Sequence, residues 1–110
     1  MATKKAFWIS YDFGLKGDYS GLYTWLDSVG AKECGDNFAF FIKECDGDLI
    51  NTVKNDILKY VTPGKTDRIY LIYLDTDTQK MKGNFLFGRR KRAPWEGYSE
   101  GIGTVSEDFV

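Results

Sequence analysis

A chain of 110 residues with 15 Lys and Arg against 16 Asp and Glu can bury one core, and carries no global field that would draw it to nucleic acid or an anionic membrane. It has no His, which removes the commonest general base, the commonest transition-metal ligand and every Ser-His or Cys-His dyad, leaving carboxylates, Tyr, Lys, Arg, Cys or a hard metal for any chemistry. No stretch approaches the run of about 18 apolar residues that a membrane span needs, and two cysteines, Cys34 and Cys45, without a signal peptide point to a reducing, cytoplasmic setting.

Aromatic residues make up 16% of the chain, so a folded core is expected. The first strand is Ala6-Phe7-Trp8-Ile9-Ser10-Tyr11-Asp12. Phe7, Ile9 and Tyr11 alternate with Ala6, Trp8 and Ser10, and apolar groups on both faces place it centrally in a sheet. It ends on a carboxylate beside a loop spaced by Gly14 and Gly17, which form no nucleotide-binding fingerprint.

Asp18 can cap a helix over 19–29, in which Leu22, Trp25, Leu26 and Val29 form one apolar stripe before Gly30 stops it. A short strand over 31–34 turns through Gly35-Asp36 into a second strong strand over 37–44. Asp48 can cap a helix over 49–61, with Ile50, Val53, Ile57 and Tyr60 or Val61 facing inward, closed by Pro63-Gly64. Residues 68–74 form a third strong strand, apolar on both faces, and 83–88 can add an edge strand. The basic run Arg89-Arg90-Lys91-Arg92 precedes Pro94-Trp95, and residues 97–110 read as a loosely ordered acidic tail behind a domain over 1–96.

The order β-α-β-β-α-β is that of the ferredoxin-like α+β sandwich, an antiparallel sheet with two helices on one face. In that topology the first strand lies between the third and the fourth. Asp12 then shares a sheet edge with Asp36, Asn37 and Asp67, while Asp75 and Asp77 go to the opposite edge. Asp75-Thr76-Asp77 and Asp46-Gly47-Asp48 read as polar turns.

Phe7-Trp8-Ile9-Ser10-Tyr11-Asp12-Phe13, the Gly/Lys loop, Asp18-Tyr19-Ser20-Gly21-Leu22-Tyr23, the helix ending at Gly30, residues 57–61 and Asp67-Arg68-Ile69-Tyr70-Leu71 together carry a likeness. Over residues 6–88 the chain resembles the small CRISPR-associated ferredoxin-like proteins of the Cas-two family and their SinR-like relatives. The resemblance implies an antiviral-defence protein that forms a homodimer, with Asp12 of each copy sharing Mg²⁺ or Mn²⁺. It implies either metal-dependent cleavage of RNA or DNA, or a non-catalytic role as a scaffold for nucleic acid and protein partners. A carboxylate pair suits Mg²⁺, which takes oxygen ligands and keeps waters that can be activated. The chain departs from the pattern in having no basic residue between Asp18 and Ala31.

Glu33-Cys34-Gly35-Asp36-Asn37-Phe38 resembles the Gly-Gly-Asp-Glu-Phe hairpin of palm-type nucleotide cyclases, with Cys34 and Asn37 as departures. That likeness implies a minimal cyclase or polymerase using Asp12 and Asp36 to hold two metals. Arg89, Arg90, Lys91 and Arg92 with Trp95 can grip phosphates and stack a base. Alternatively they are solvated cations paired with Glu96, Glu100, Glu107 and Asp108.

Overall fold

The computed structural model describes residues 3–99. The elements are β1 (Thr3–Asp12), α1 (Tyr19–Ser28), β2 (Lys32–Gly35), β3 (Phe38–Cys45), α2 (Leu49–Leu58), β4 (Arg68–Asp75) and β5 (Lys80–Phe87). The strands pair antiparallel throughout, in the order β2-β3-β1-β4-β5. This is an α+β fold with a five-stranded antiparallel sheet and two helices, compatible with a ferredoxin-like sandwich. No helix of the described residues is long and apolar enough to cross a membrane.

Strand alternation sorts the side chains into two faces. Phe7 and Ile9 of β1, Ala39 and Phe41 of β3, and Ile69, Leu71 and Tyr73 of β4 are buried together with Leu22, Trp25 and Leu26 of α1 and Val53 and Ile57 of α2. Phe7 stacks on Phe41 with ring centroids 5.1 Å apart, and Trp25 meets Phe41 edge-on at 5.1 Å. Trp25 also donates its indole N–H to Asp56 Oδ2 of α2 (2.8 Å), and Asp56 pairs with Lys43 of β3 (3.5 Å) and Lys59 (3.6 Å), so one carboxylate ties both helices to the sheet.

Both helices start as their acids dictate. Asp18 accepts from the Gly21 amide (2.9 Å) and also from the Thr62 amide after α2 (2.9 Å), which lowers its pKa and fastens the start of α1 to the end of α2. Asp48 accepts from the Asn51 amide (3.2 Å). Helix α2 ends at Leu58, short of the expected 61, because Tyr60 and Val61 amides both turn back to the Ile57 carbonyl. Val61 is then buried and Tyr60 exposed. Strand β5 begins at Lys80, earlier than the expected 83, because a tight turn over 76–79 lets Lys80, Met81 and Lys82 pair with Asp75, Leu74 and Tyr73. Both thiols are free, Cys34 exposed and Cys45 buried.

The face without helices is also rich in apolar groups. Register places Phe38, Ser10, Tyr70 and Phe85 in one row across the sheet; Phe40, Trp8, Ile72 and Gly83 in the next; and Ile42, Ala6, Leu74 and Met81 in a third. Asp12 and Arg68 close the first end of this face. Of the expected tail, residues 97–99 continue the chain and 100–110 lie outside the described residues.

Candidate functional site

The end of the sheet where β1 finishes and β4 starts gathers the chain's distinctive polar groups. Asp12 and Arg68 are directly opposite in the antiparallel register. Arg68 donates to Asp12 Oδ2 from Nη2 (2.7 Å) and Nε (3.2 Å). Asp12 is 56% exposed and Arg68 24%, so the pair sits at the mouth of the face and not beneath it.

One row inward, Tyr70 and Phe85 meet edge-to-face at 4.8 Å. Gly83, diagonal to Tyr70 on the neighbouring strand, makes this arrangement possible: a Cβ there would strike the Tyr70 ring and hydroxyl. The chain then leaves β5 through Gly88, whose φ of +75° favours glycine, and turns back so that Arg90 lies over both rings, 5.6 Å from Tyr70 and 5.5 Å from Phe85. Ser10, Asp12, Arg68, Tyr70, Phe85 and Arg90 line one open cavity. A second, sharing Arg68 and Arg90, adds Lys65, Thr66, Gly88, Arg89 and Lys91. Among the described residues, Lys65, Arg89 and Lys91 have no acidic partner.

The loop that carries the chain from Asp12 to α1 is fixed from below. Buried Asp67, 4% exposed, accepts from the amides of Gly64 (2.7 Å) and Gly14 (3.1 Å), joining this loop to the approach into β4. Asp12, Asn37 and Asp67 thus share one end of the sheet, as Asn37 O also receives the Tyr11 amide (3.0 Å). Asp75 lies at the far end, where Lys82 (2.7 Å) and the Asp77 amide (3.0 Å) hold its pKa down to about 2.

The anticipated site residues separate into those gathered here and those elsewhere. Asp12, Arg89, Arg90 and Lys91 line the two cavities. Arg92 instead pairs with Glu96 (3.1 Å), and Trp95, 74% exposed, lines neither. Tyr11 points to the opposite face, where burial first, then Tyr23, Tyr19, Asp36 and Glu33, raises its pKa. Asp36, on the β2–β3 turn, does not line the cavity that holds Asp12. Arg68, Tyr70, Phe85 and Ser10 were not singled out from the sequence. The alternation Arg68-Ile69-Tyr70 does put the first and third on one face, but which face meets Asp12 depends on register.

The Asp12 cavity offers one carboxylate already receiving two guanidinium N–H bonds, two hydroxyls, and two guanidinium cations. Mg²⁺ and Mn²⁺ take oxygen ligands and keep several waters, so an ion at Asp12 would have to displace the Arg68 guanidinium from that carboxylate. The same donors suit an anion, since guanidinium groups match phosphate in geometry and charge. In comparisons with known proteins, the chain matches no family model, no curated protein and no solved structure.

Proposed function

We propose that the protein is a non-catalytic nucleic-acid-binding scaffold of the Cas-two/SinR-like kind, built on a ferredoxin-like sandwich and gripping phosphates with Lys65, Arg68, Arg89, Arg90 and Lys91. One observation carries this reading: five cations converge on one end of the sheet, and the acid among them, Asp12, is tied to Arg68. A near-neutral chain has thereby concentrated its positive charge locally. In this reading Asp12 orients Arg68 and does not hold a metal. The metal-dependent nuclease implied by the resemblance needs Asp12 of a second copy and release of Arg68. The cyclase reading needs Asp12 and Asp36 around shared ions.

The test is fluorescence anisotropy with labelled RNA and DNA over a range of salt, alongside incubation with Mg²⁺ or Mn²⁺ and inspection on a denaturing gel. Replacing Arg89, Arg90 and Lys91 together by Ala should weaken binding and flatten the log–log salt dependence by about 2, because each single-strand phosphate contact contributes about 0.7. The labelled strands should stay intact. Cleavage that disappears in Asp12→Asn would overturn the non-catalytic assignment in favour of the nuclease. Nucleotide turnover lost in Asp36→Ala would favour the cyclase.

A further inference from the structure

The basic end accounts for phosphates but not for the face beside it. Trp8 and Phe40 lie in register on neighbouring strands with ring centroids 5.1 Å apart, both only partly buried on the face that no helix covers. Tyr70 and Phe85 form the adjacent pair at 4.8 Å, nearer the cations. Partly buried Phe38 joins their row.

We propose that this face takes a single-stranded nucleic acid, with its bases laid on the Trp8–Phe40 and Tyr70–Phe85 pairs and its phosphates running onto Arg68, Arg89, Arg90 and Lys91. The proposal rests on the phosphate-gripping reading above and adds the strandedness of the ligand and a second set of contacts.

Three observations converge. The first is spacing. Same-face rows are two residues apart along a strand, about 7 Å at roughly 3.4 Å per residue. Bases in a duplex are stacked about 3.4 Å apart and present only their edges, so only bases splayed to about twice that step and unpaired can lay their faces on both aromatic rows. The second is that the Tyr70 and Phe85 rings already receive a planar cation, the Arg90 guanidinium at 5.6 and 5.5 Å. A flat group therefore fits there, and Arg90 can swing from the rings to a neighbouring phosphate when a base takes its place. The third is the gradient along the face. The aromatic rows adjoin the cations, whereas the row beyond them, Ile42, Ala6, Leu74 and Met81, is aliphatic. Charge complementarity thus selects a polyanion at the aromatic end.

The experiment compares single-stranded and duplex oligonucleotides of the same sequence against the full chain and four variants. Phe40→Leu and Tyr70→Leu keep apolar bulk but remove the π face. Each should cost about 5- to 150-fold in single-strand affinity, the range for losing one stacked base, and leave the weaker duplex binding unchanged. Trp8→Phe keeps a platform, so it should bind normally while losing the Trp8 share of the tryptophan fluorescence quench expected of the wild type on adding single strand. That arm remains decisive if the leucine variants do not fold. In Arg89→Ala both forms should weaken.

Equal affinity for single strand and duplex, with no Trp8-dependent quench, overturns the proposal while leaving the phosphate grip intact. Absence of any binding at low salt overturns both. Sedimentation supplies the rival outcome: a dimer that dissociates in Ile42→Lys and persists with oligonucleotide bound would assign the face to a second copy, and the proposal would fall.

Discussion

Replacing Asp12 by Asn separates two roles for that carboxylate by the sign of the effect. If Asp12 held a catalytic ion, its loss would weaken metal-dependent binding and abolish cleavage. If it serves as the counter-ion of Arg68, its loss should strengthen binding. Five cations and one carboxylate surround the site, leaving four net positive charges in the wild type and five in the variant. With about 0.7 counterions released per single-strand contact, the log–log salt slope should move from about −2.8 to about −3.5. Raising salt from about 50 to about 200 mM would then cost the wild type about 50-fold in affinity and the variant about 130-fold. Folding should change little, because an ion pair this exposed is worth about 1 kcal/mol or less and Asn can still accept from Arg68. Anisotropy titrations at several salt concentrations give the slope, and a urea melt gives the stability. An unchanged slope, or weaker binding at low salt, would refute the counter-ion role.

Other outcomes follow from the packing beneath the site. Asp56→Ala leaves the buried Trp25 indole N–H without its acceptor and should lower unfolding free energy by about 1–3 kcal/mol, with Asp56→Asn milder because its carbonyl can still accept. Burial pushes the Asp56 pKa up, but the Trp25 hydrogen bond and the Lys43 and Lys59 charges outweigh it, so the folded-state value lies below the ordinary 3.8. Its contribution is therefore complete above the unfolded-state pKa and lost as pH falls through the lower folded value. Urea midpoints of the wild type should fall more steeply than those of Asp56→Asn on acidification below about pH 5. Asp67→Ala removes the acceptor of the Gly14 and Gly64 amides and should speed their hydrogen exchange while costing about 1–3 kcal/mol. Gly83→Ala forces the Tyr70 ring aside and should destabilise by about 1–3 kcal/mol, with a shift in the Tyr70 ring resonances as the direct readout.

Much of the scaffold could be read from residue patterns because local and tertiary preferences agree. Phe7, Trp8 and Ile9 put apolar groups on both faces of β1, and β1 is indeed paired on both sides by β3 and β4. Asp18 and Asp48 mark both helix starts because a short acid before an apolar stripe has one dominant use. The end of α2 was harder, since Val61 continues the inward periodicity although the helix tightens from Lys59 on, with the Lys59 and Tyr60 amides bonding three residues back. The start of β5 gave no signal: Lys80 and Lys82 are poor strand formers, and pairing with β4 imposes the conformation. At the site, Asp12 and the basic run stand out by charge, but their relation does not. The Asp12–Arg68 pair spans 56 positions and depends on register, and Arg90 reaches Tyr70 only through the turn at Gly88.

The two borders of the sheet also constrain how this protein meets others. At one border β2 is four residues long, interrupted by an irregular register between Glu33 and Gly35, and carries Lys32 and Glu33. At the other, β5 displays Lys80 and Lys82 in its first half and shifts register near Leu86 in its second. Short length, charge and bulges are the devices by which a sheet refuses an additional strand. Growth by edge-to-edge pairing, the usual route from an open sheet to a filament, is therefore discouraged at both sides.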